Sequence, residues 1–250
     1  MAIARDRLGK LSMANLKPQE IADYRDRRLK KIQSSTMNRE LQIISAAITH
    51  SIREWGVALP FNPVAHVRKP PPGVHRNRVL ERDEEHKLML ALDGEGYLRV
   101  PRTHHNCWVK PIIQLALETA CRRGEILSMR WENVDLERRV IYLPLTKNGE
   151  DRNVPLSSQA IRILQQLPRS DEGNVFPIAW TALHQAFRKA CRRAGIDNLK
   201  FHDLRHTATT RMASLLPNVI ELSAVTGHKS LAMLKRYYHV KPEELARKLG

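Results

Sequence analysis

The run RKPPPGVHRNR, at residues 68–78, constrains this chain more than any other stretch. Consecutive prolines fix φ and remove backbone donors, so neither a helix nor an inner strand can pass through them. The 250 residues are therefore expected to fold as two pieces. These are a small helical domain over 1–66 and a larger domain over 80–250, joined by a basic Pro-rich linker over 67–79.

Upstream of the break, Pro18 suits a first helical turn, and Ile21, Tyr24 and Leu29 recur among charges, which predicts a helix over 18–33. Leu41, Ile44, Ile48, Ile52 and Trp55 repeat at three- and four-residue steps and predict a second helix over 37–56, with Gly56 as its stop. Downstream, helices are expected at about 82–92, 110–121, 124–130, 157–166, 179–193, 203–214, 217–225 and 231–238. Two runs rich in Val, Ile and Leu, RVIYLPLT and DRNVPL, flank Asn148-Gly149, a strong hairpin turn. The expected fold class is mainly α with a small antiparallel β-sheet (α+β).

Charge narrows the function. Lys and Arg number 42 against 26 Asp and Glu, a formal net charge of +16. Residues 1–80 alone hold 15 basic and 6 acidic side chains. Such a surface gains affinity for nucleic acid by releasing phosphate counterions. Aromatics are only 5% of the chain, poor material for stacking single-stranded bases, so double-stranded DNA is the expected partner. Three cysteines without CxxC spacing argue against a disulfide framework and for a reducing cytoplasm. No apolar run approaches a membrane span and the N-terminus lacks a secretory signal, so no membrane partner is expected.

Three clusters and a tyrosine pair arrive in order. TACRRGEIL (119–127) carries Arg122 and Arg123; HDLRH (202–206) places His202 and Arg205 on one helical face, with His206 one step round. TGHKSLAMLKRYYH (226–239) sets His228 ahead of Tyr237 and Tyr238. Each cluster alone is weak: an i, i+3 His/Arg pair is more often structural, and a lone Tyr on an amphipathic helix more often belongs to a core. Together they resemble the tyrosine recombinases, the phage-integrase family. T-x-x-R-x-x-E is met by Thr119, Arg122 and Glu125, and H-x-x-R by His202 and Arg205. Gly227-His228 is followed by Tyr237 nine residues after the histidine, and T-K-N-G by Thr146 and Lys147. The likeness is strong over about 80–245 and looser over 24–64; its wording is closest to bacterial integrases and shufflon-type DNA invertases.

The resemblance implies a tyrosine-recombinase catalytic domain preceded by a helical core-binding domain. Residues 1–66 supply about two helices where that domain has about four, so the chain is expected to begin partway into it. It also implies catalytic residues Arg122, Lys147, His202, Arg205, His228 and Tyr237, with no cofactor and no metal. Guanidinium groups are always charged and fork onto two phosphate oxygens, which suits Arg122 and Arg205 as clamps in place of metal ions. His228 would add a hydrogen bond to the phosphate, and His202 would accept a proton or ligate phosphate. Tyr237 would attack to leave a 3′-phosphotyrosine, and Lys147 would protonate the departing 5′-oxygen. Glu125 reads as support for an arginine, and His206 as a packing or supporting residue. Arg123, Lys229, Lys235 and Arg236 read as phosphate or solvent contacts. His104, His105 and Cys107 lack a fourth ligand for a metal.

The expected activity is site-specific DNA recombination, whether integration, excision or inversion. The resemblance implies a homo-tetramer on two DNA sites, monomeric off DNA, with accessory DNA-bending proteins. Two other readings stay open: a non-catalytic DNA-binding relative that occupies sites without strand exchange, and a topoisomerase-like nicking enzyme.

Overall fold

The computed structural model describes residues 2–73, 76–93, 107–144, 151–169, 172–238 and 242–250. The chain divides into two compact units, Met1–Arg76 and Asn77–Gly250.

In the first unit, a short α1 (Ala2–Arg5) and two 3-10 turns lead into α2 (Pro18–Leu29) and α3 (Ser34–Glu54). Pro18 opens α2, where a missing N–H costs nothing. Helix α2 ends at Leu29 rather than at 33, and Ile32 packs onto the core from the loop that follows. Helix α3 buries Met37, Leu41, Ile44, Ile48 and Ser51 along one stripe. The expected stripe runs one turn too far. Trp55 only caps the helix and is 69% exposed, because Gly56, at φ +64°, turns the chain away. A polar clasp joins the two helices: the buried Tyr24 hydroxyl donates to Glu40 Oε2 at 2.7 Å, and Arg28 Nε donates to the same oxygen at 2.9 Å. Burial and then the Glu40 carboxylate push the Tyr24 phenol well above its usual range, so it stays a donor. Residues expected in the linker are held to this unit. Val67 is buried, Arg25 Nη1 donates to Arg68 O at 2.7 Å, and Asn38 Nδ2 donates to Pro70 O at 2.9 Å.

The second unit is organised round one buried helix. After α4 (Arg82–Asp93) comes α5 (Val109–Thr119), apolar nearly all round, with Val109, Ile112, Ile113, Leu115, Ala116 and Leu117 buried. A helix of that composition belongs inside. It ends at Ala120, whose left-handed backbone (φ 51°) turns the chain into the short α6 (Arg123–Leu127). Strands β1 (Val134–Asp135), β2 (Val140–Leu143) and β3 (Arg152–Pro155) form an antiparallel sheet in that order, with Ile141 opposite Val154 and Leu143 opposite Arg152. The expected hairpin strands are β2 and β3. Strand β1 is an addition, too short at two residues to show alternation in the sequence. The turn Asn148-Gly149 and Lys147 lie outside the described residues. Helices α7 (Ser158–Gln165), α8 (Trp180–Arg193) and α9 (Phe201–Leu215) then pack against α5. The chain continues through α10 (Val219–Thr226), α11 (Leu231–Leu234), a 3-10 turn at Lys235–Tyr237 and α12 (Pro242–Leu249). Residues 231–238 were expected as one helix. They tighten to 3-10 after one turn, and Tyr238 leaves in an extended conformation (φ −104°, ψ 96°). Among the described residues no helix is long and apolar enough to cross a membrane.

The clasp makes a stability prediction. Glu40→Ala strands the Tyr24 hydroxyl in the core and is expected to cost about 1–3 kcal/mol. Urea unfolding of the first unit, followed by Tyr24 fluorescence or circular dichroism, measures it.

Candidate active site

The functional side chains are delivered by helix ends, by turns and by one helix, α9. The left-handed bend at Ala120 puts Arg122 at the start of α6. Its backbone N–H donates to Glu125 Oε2 at 2.8 Å, its Nη1 to Glu125 Oε1 at 2.6 Å, and its Nη2 to Gly227 O at 3.2 Å. Arg205 rises from the second turn of α9 and is buried, with 4% exposure. Its Nη1 donates to Ala120 O at 2.5 Å and its Nη2 to Thr226 O at 2.6 Å. Burial, then the Arg122 charge, pulls the Arg205 pKa down to about 10, still fully protonated at neutral pH.

Gly227 ends α10 at φ +66°. A Cβ there would lie 2.9 Å from Arg152 Nε, so both the backbone angle and the close approach require glycine. The next residue, His228, is buried, and its Nδ1 lies 2.7 Å from Thr226 Oγ1. That hydroxyl donates to Leu222 O at 2.6 Å, so it accepts from the imidazole and leaves Nε2 unprotonated. Arg205 Nη2 is 3.4 Å from both ring nitrogens. Burial first, then Arg205 and Arg122, lowers the His228 pKa to about 3.

The two tyrosines part company. Tyr237 Oη lies 2.6 Å from His206 Nδ1 and accepts from Arg236 Nη2 at 3.0 Å; its ring centroid is 6.4 Å from that of His228. Tyr238 Oη instead donates to Leu216 O at 2.7 Å, among Ala213, Leu222 and Leu234. Burial, then Glu221, raises the Tyr238 pKa. His202 lies one turn before His206, exposed, the two rings meeting edge to face at 5.0 Å. Partial desolvation and then the Arg205 charge lower its pKa.

The structure thus brings together five of the six residues expected from sequence: Arg122, His202, Arg205, His228 and Tyr237. Lys147 lies outside the described residues. His104 and His105 also lie outside them, and among the described residues no cluster of three or more His, Cys, Asp or Glu could hold a metal. Three neighbours hold places the sequence did not indicate: Arg152 carried no expectation, His206 read as a packing or supporting residue, and Arg236 as a phosphate or solvent contact. Arg152 donates to Glu125 Oε2 at 2.8 Å and to Val225 O at 2.7 Å. It shares the inner face of β3 with Val154, and an arginine on a buried strand face is a legible signal. His206 and Arg236 contact the Tyr237 hydroxyl, which helix geometry applied to 231–238 did not foresee. Arg123, expected at phosphate or solvent, is exposed and stacks 3.5 Å over the Trp180 ring.

The arrangement is a cationic recess whose members are oriented before any ligand arrives. Comparison with known proteins identifies the family. Residues 78–244 match the phage integrase family, and the chain belongs to that family, the tyrosine recombinases. It is 42% identical over 239 residues to the shufflon-specific DNA recombinase of Escherichia coli, covering 92% of this chain and 59% of that protein's length. The fold is similar to the Tn1549 transposon integrase in complex with transposon right-end DNA, with TM-score 0.79, 17% identity and coverage of 99% of this chain and 89% of that one. It is also similar to a lambda integrase dimer bound to a COC′ core site, with TM-score 0.72, 19% identity and coverage of 90% and 80%.

Two predictions follow from the recess. Glu125→Ala leaves Arg122 and Arg152 without their shared carboxylate and is expected to cost about 3–5 kcal/mol, read by thermal and urea unfolding. The histidines set a pH dependence. The His228 pKa near 3 and the His206 pKa near 4 lie below the ordinary 6.5. The unfolded chain therefore takes up protons first as pH falls, and stability present above pH 6.5 drains away on the way down towards 3. Melting temperature is expected to fall through this window, and less steeply in His228→Asn.

Proposed function

We propose that this chain carries out site-specific DNA recombination, cleaving and rejoining double-stranded DNA through a 3′-phosphotyrosine. The observation that carries the reading is the Tyr237 hydroxyl, held beside a recess in which Arg122, Arg205 and His228 converge. Arg122 and Arg205 would take the non-bridging oxygens of the scissile phosphate, acting where negative charge develops. Both are already oriented by backbone carbonyls, so little reorganisation is needed at the moment of reaction. His228 Nε2 would complete the phosphate contacts after taking a proton from water, a form that the incoming negative charge favours. His202, exposed and edge to face with His206, would serve as a further phosphate or proton ligand.

Attack by Tyr237 Oη forms an O–P bond and breaks the bond to the 5′-oxygen, which Lys147 would protonate. The phosphodiester energy is kept in the phosphotyrosine, so a second DNA end reverses the step without ATP. Two duplexes, four protomers and accessory DNA-bending proteins would complete the exchange. The first unit and the basic segment at 67–79 would bind the duplex alongside the catalytic domain. The 42% identity to a shufflon-specific recombinase supports exchange between paired sites as the outcome.

Covalent trapping tests this reading. The protein is incubated with fragmented bacterial and mobile-element DNA, quenched in detergent, and the attached DNA sequenced. Adducts are expected with the unaltered chain and with Tyr238→Phe, and none with Tyr237→Phe. Arg205→Ala or Arg122→Ala is expected to lower adduct formation by about 10²–10³. Salt-sensitive DNA binding with no adduct would instead favour a non-catalytic site-occupying protein.

A further inference from the structure

The contact between His206 and Tyr237 has a determined polarity. Arginine has only donors, and Arg236 Nη2 donates to Tyr237 Oη at 3.0 Å while lying 3.3 Å from His206 Nδ1. Nδ1 is therefore an acceptor, and the imidazole carries its proton on Nε2. The phenolic proton of Tyr237 then points at Nδ1 across 2.6 Å, the shortest contact this hydroxyl makes among the described residues. The rings lie nearly parallel, at 30°, with centroids 6.2 Å apart.

We infer that His206 is a catalytic residue, the acceptor of the Tyr237 phenolic proton. The inference rests on the recombinase reading above and adds to it the group that activates the nucleophile. As Oη bonds to phosphorus, its proton passes to His206 Nδ1; the P–O5′ bond breaks and the 5′-oxygen takes a proton from a separate acid. In the reverse step the imidazolium returns its proton to the phenolic oxygen. Arg236, donating to Oη, stabilises the phenolate as it forms.

The surroundings of His206 decide when it acts. His202, Asp203 and Arg205 face it from its own helix, and Arg236 and Tyr237 from the 3-10 turn. Burial, then His202 and Arg236, keeps it neutral in the empty site, with a pKa near 4. A neutral imidazole is the form that can accept. The scissile phosphate brings the negative charge that offsets Arg205 and Arg236, so proton transfer is favoured once DNA is bound. His202 does not share this position: its ring meets His206 edge-on at 5.0 Å.

The experiment uses the full chain and a duplex carrying the site recovered by trapping. One version is normal. The other has sulfur in place of the bridging 5′-oxygen, a leaving group that needs no acid. Single-turnover adduct formation is expected to fall about 10²-fold in His206→Ala on both duplexes, because sulfur relieves only the leaving-group side. His206→Asn keeps an acceptor near the Nδ1 position but cannot carry the proton, so it is expected to be as slow as His206→Ala and to speed up with rising pH. Free imidazole is expected to rescue His206→Ala. In the DNA-free protein, ¹⁵N NMR is expected to show His206 Nδ1 unprotonated and hydrogen-bonded, with its signal shifted in Tyr237→Phe. A wild-type rate in His206→Asn would reduce His206 to an orienting role and overturn the inference. So would recovery of His206→Ala on the sulfur duplex. Absence of adducts in the unaltered chain would overturn the recombinase reading itself, whereas normal adducts in both His206 variants would overturn only the role of His206.

Discussion

The buried guanidinium of Arg205 is the interaction on which the catalytic domain's site depends. It sits in the core of a helix that packs on α5, and its two terminal nitrogens grasp the carbonyls of Ala120 and Thr226. Those carbonyls end two different helices, so one side chain ties together the turn that presents Arg122 and the turn that presents His228. Among the described residues its contacts are two carbonyls and an imidazole, not a carboxylate. Glu125 favours this charge from a distance, but burial and the Arg122 charge outweigh it, so the buried cation is costly. An anion entering the recess relieves that cost, which makes binding of a phosphate and completion of the fold's electrostatics the same event.

Around it the other charges are arranged at graded distances from neutrality. Glu125 is buried, which alone would raise its pKa, yet Arg152 and Arg122 outweigh that and hold it ionised. It spends its negative charge on two arginines that are thereby fixed in place. The histidines go the other way: burial first, and then the neighbouring cations, keep them neutral. The recess therefore holds permanent positive charge on arginines and latent positive charge on imidazoles.

Much of this was legible in the sequence, because it is local. The hydrophobic stripe of α3 and the hairpin pair follow from period and register, while Arg122, His202, Arg205, His228 and Tyr237 follow from motif spacings that resemble those of the tyrosine recombinases. The parts that were not legible depend on contacts between distant segments. Arg152 reaches Glu125 and Val225 from a strand, and no local pattern names those partners. His206 looked like packing because its role depends on the course of residues 235–238, which tighten to 3-10 where the pattern predicted an α-helix. Trp55 fitted the stripe of α3 by spacing alone, but the backbone had already turned at its position.

The adjacent tyrosines show how finely the last segment is set. Tyr237 is fastened by its hydroxyl to α9, and Tyr238 by its own to the carbonyl that follows α9. One phenol faces the histidine and its neighbour moors the strap that carries both. Deleting a single residue between Leu234 and Tyr237 would seat Tyr238 at the histidine, and adding one would put Tyr237 in its neighbour's berth with no phenol at the histidine. The length of this short segment is thus under a tighter rule than its composition.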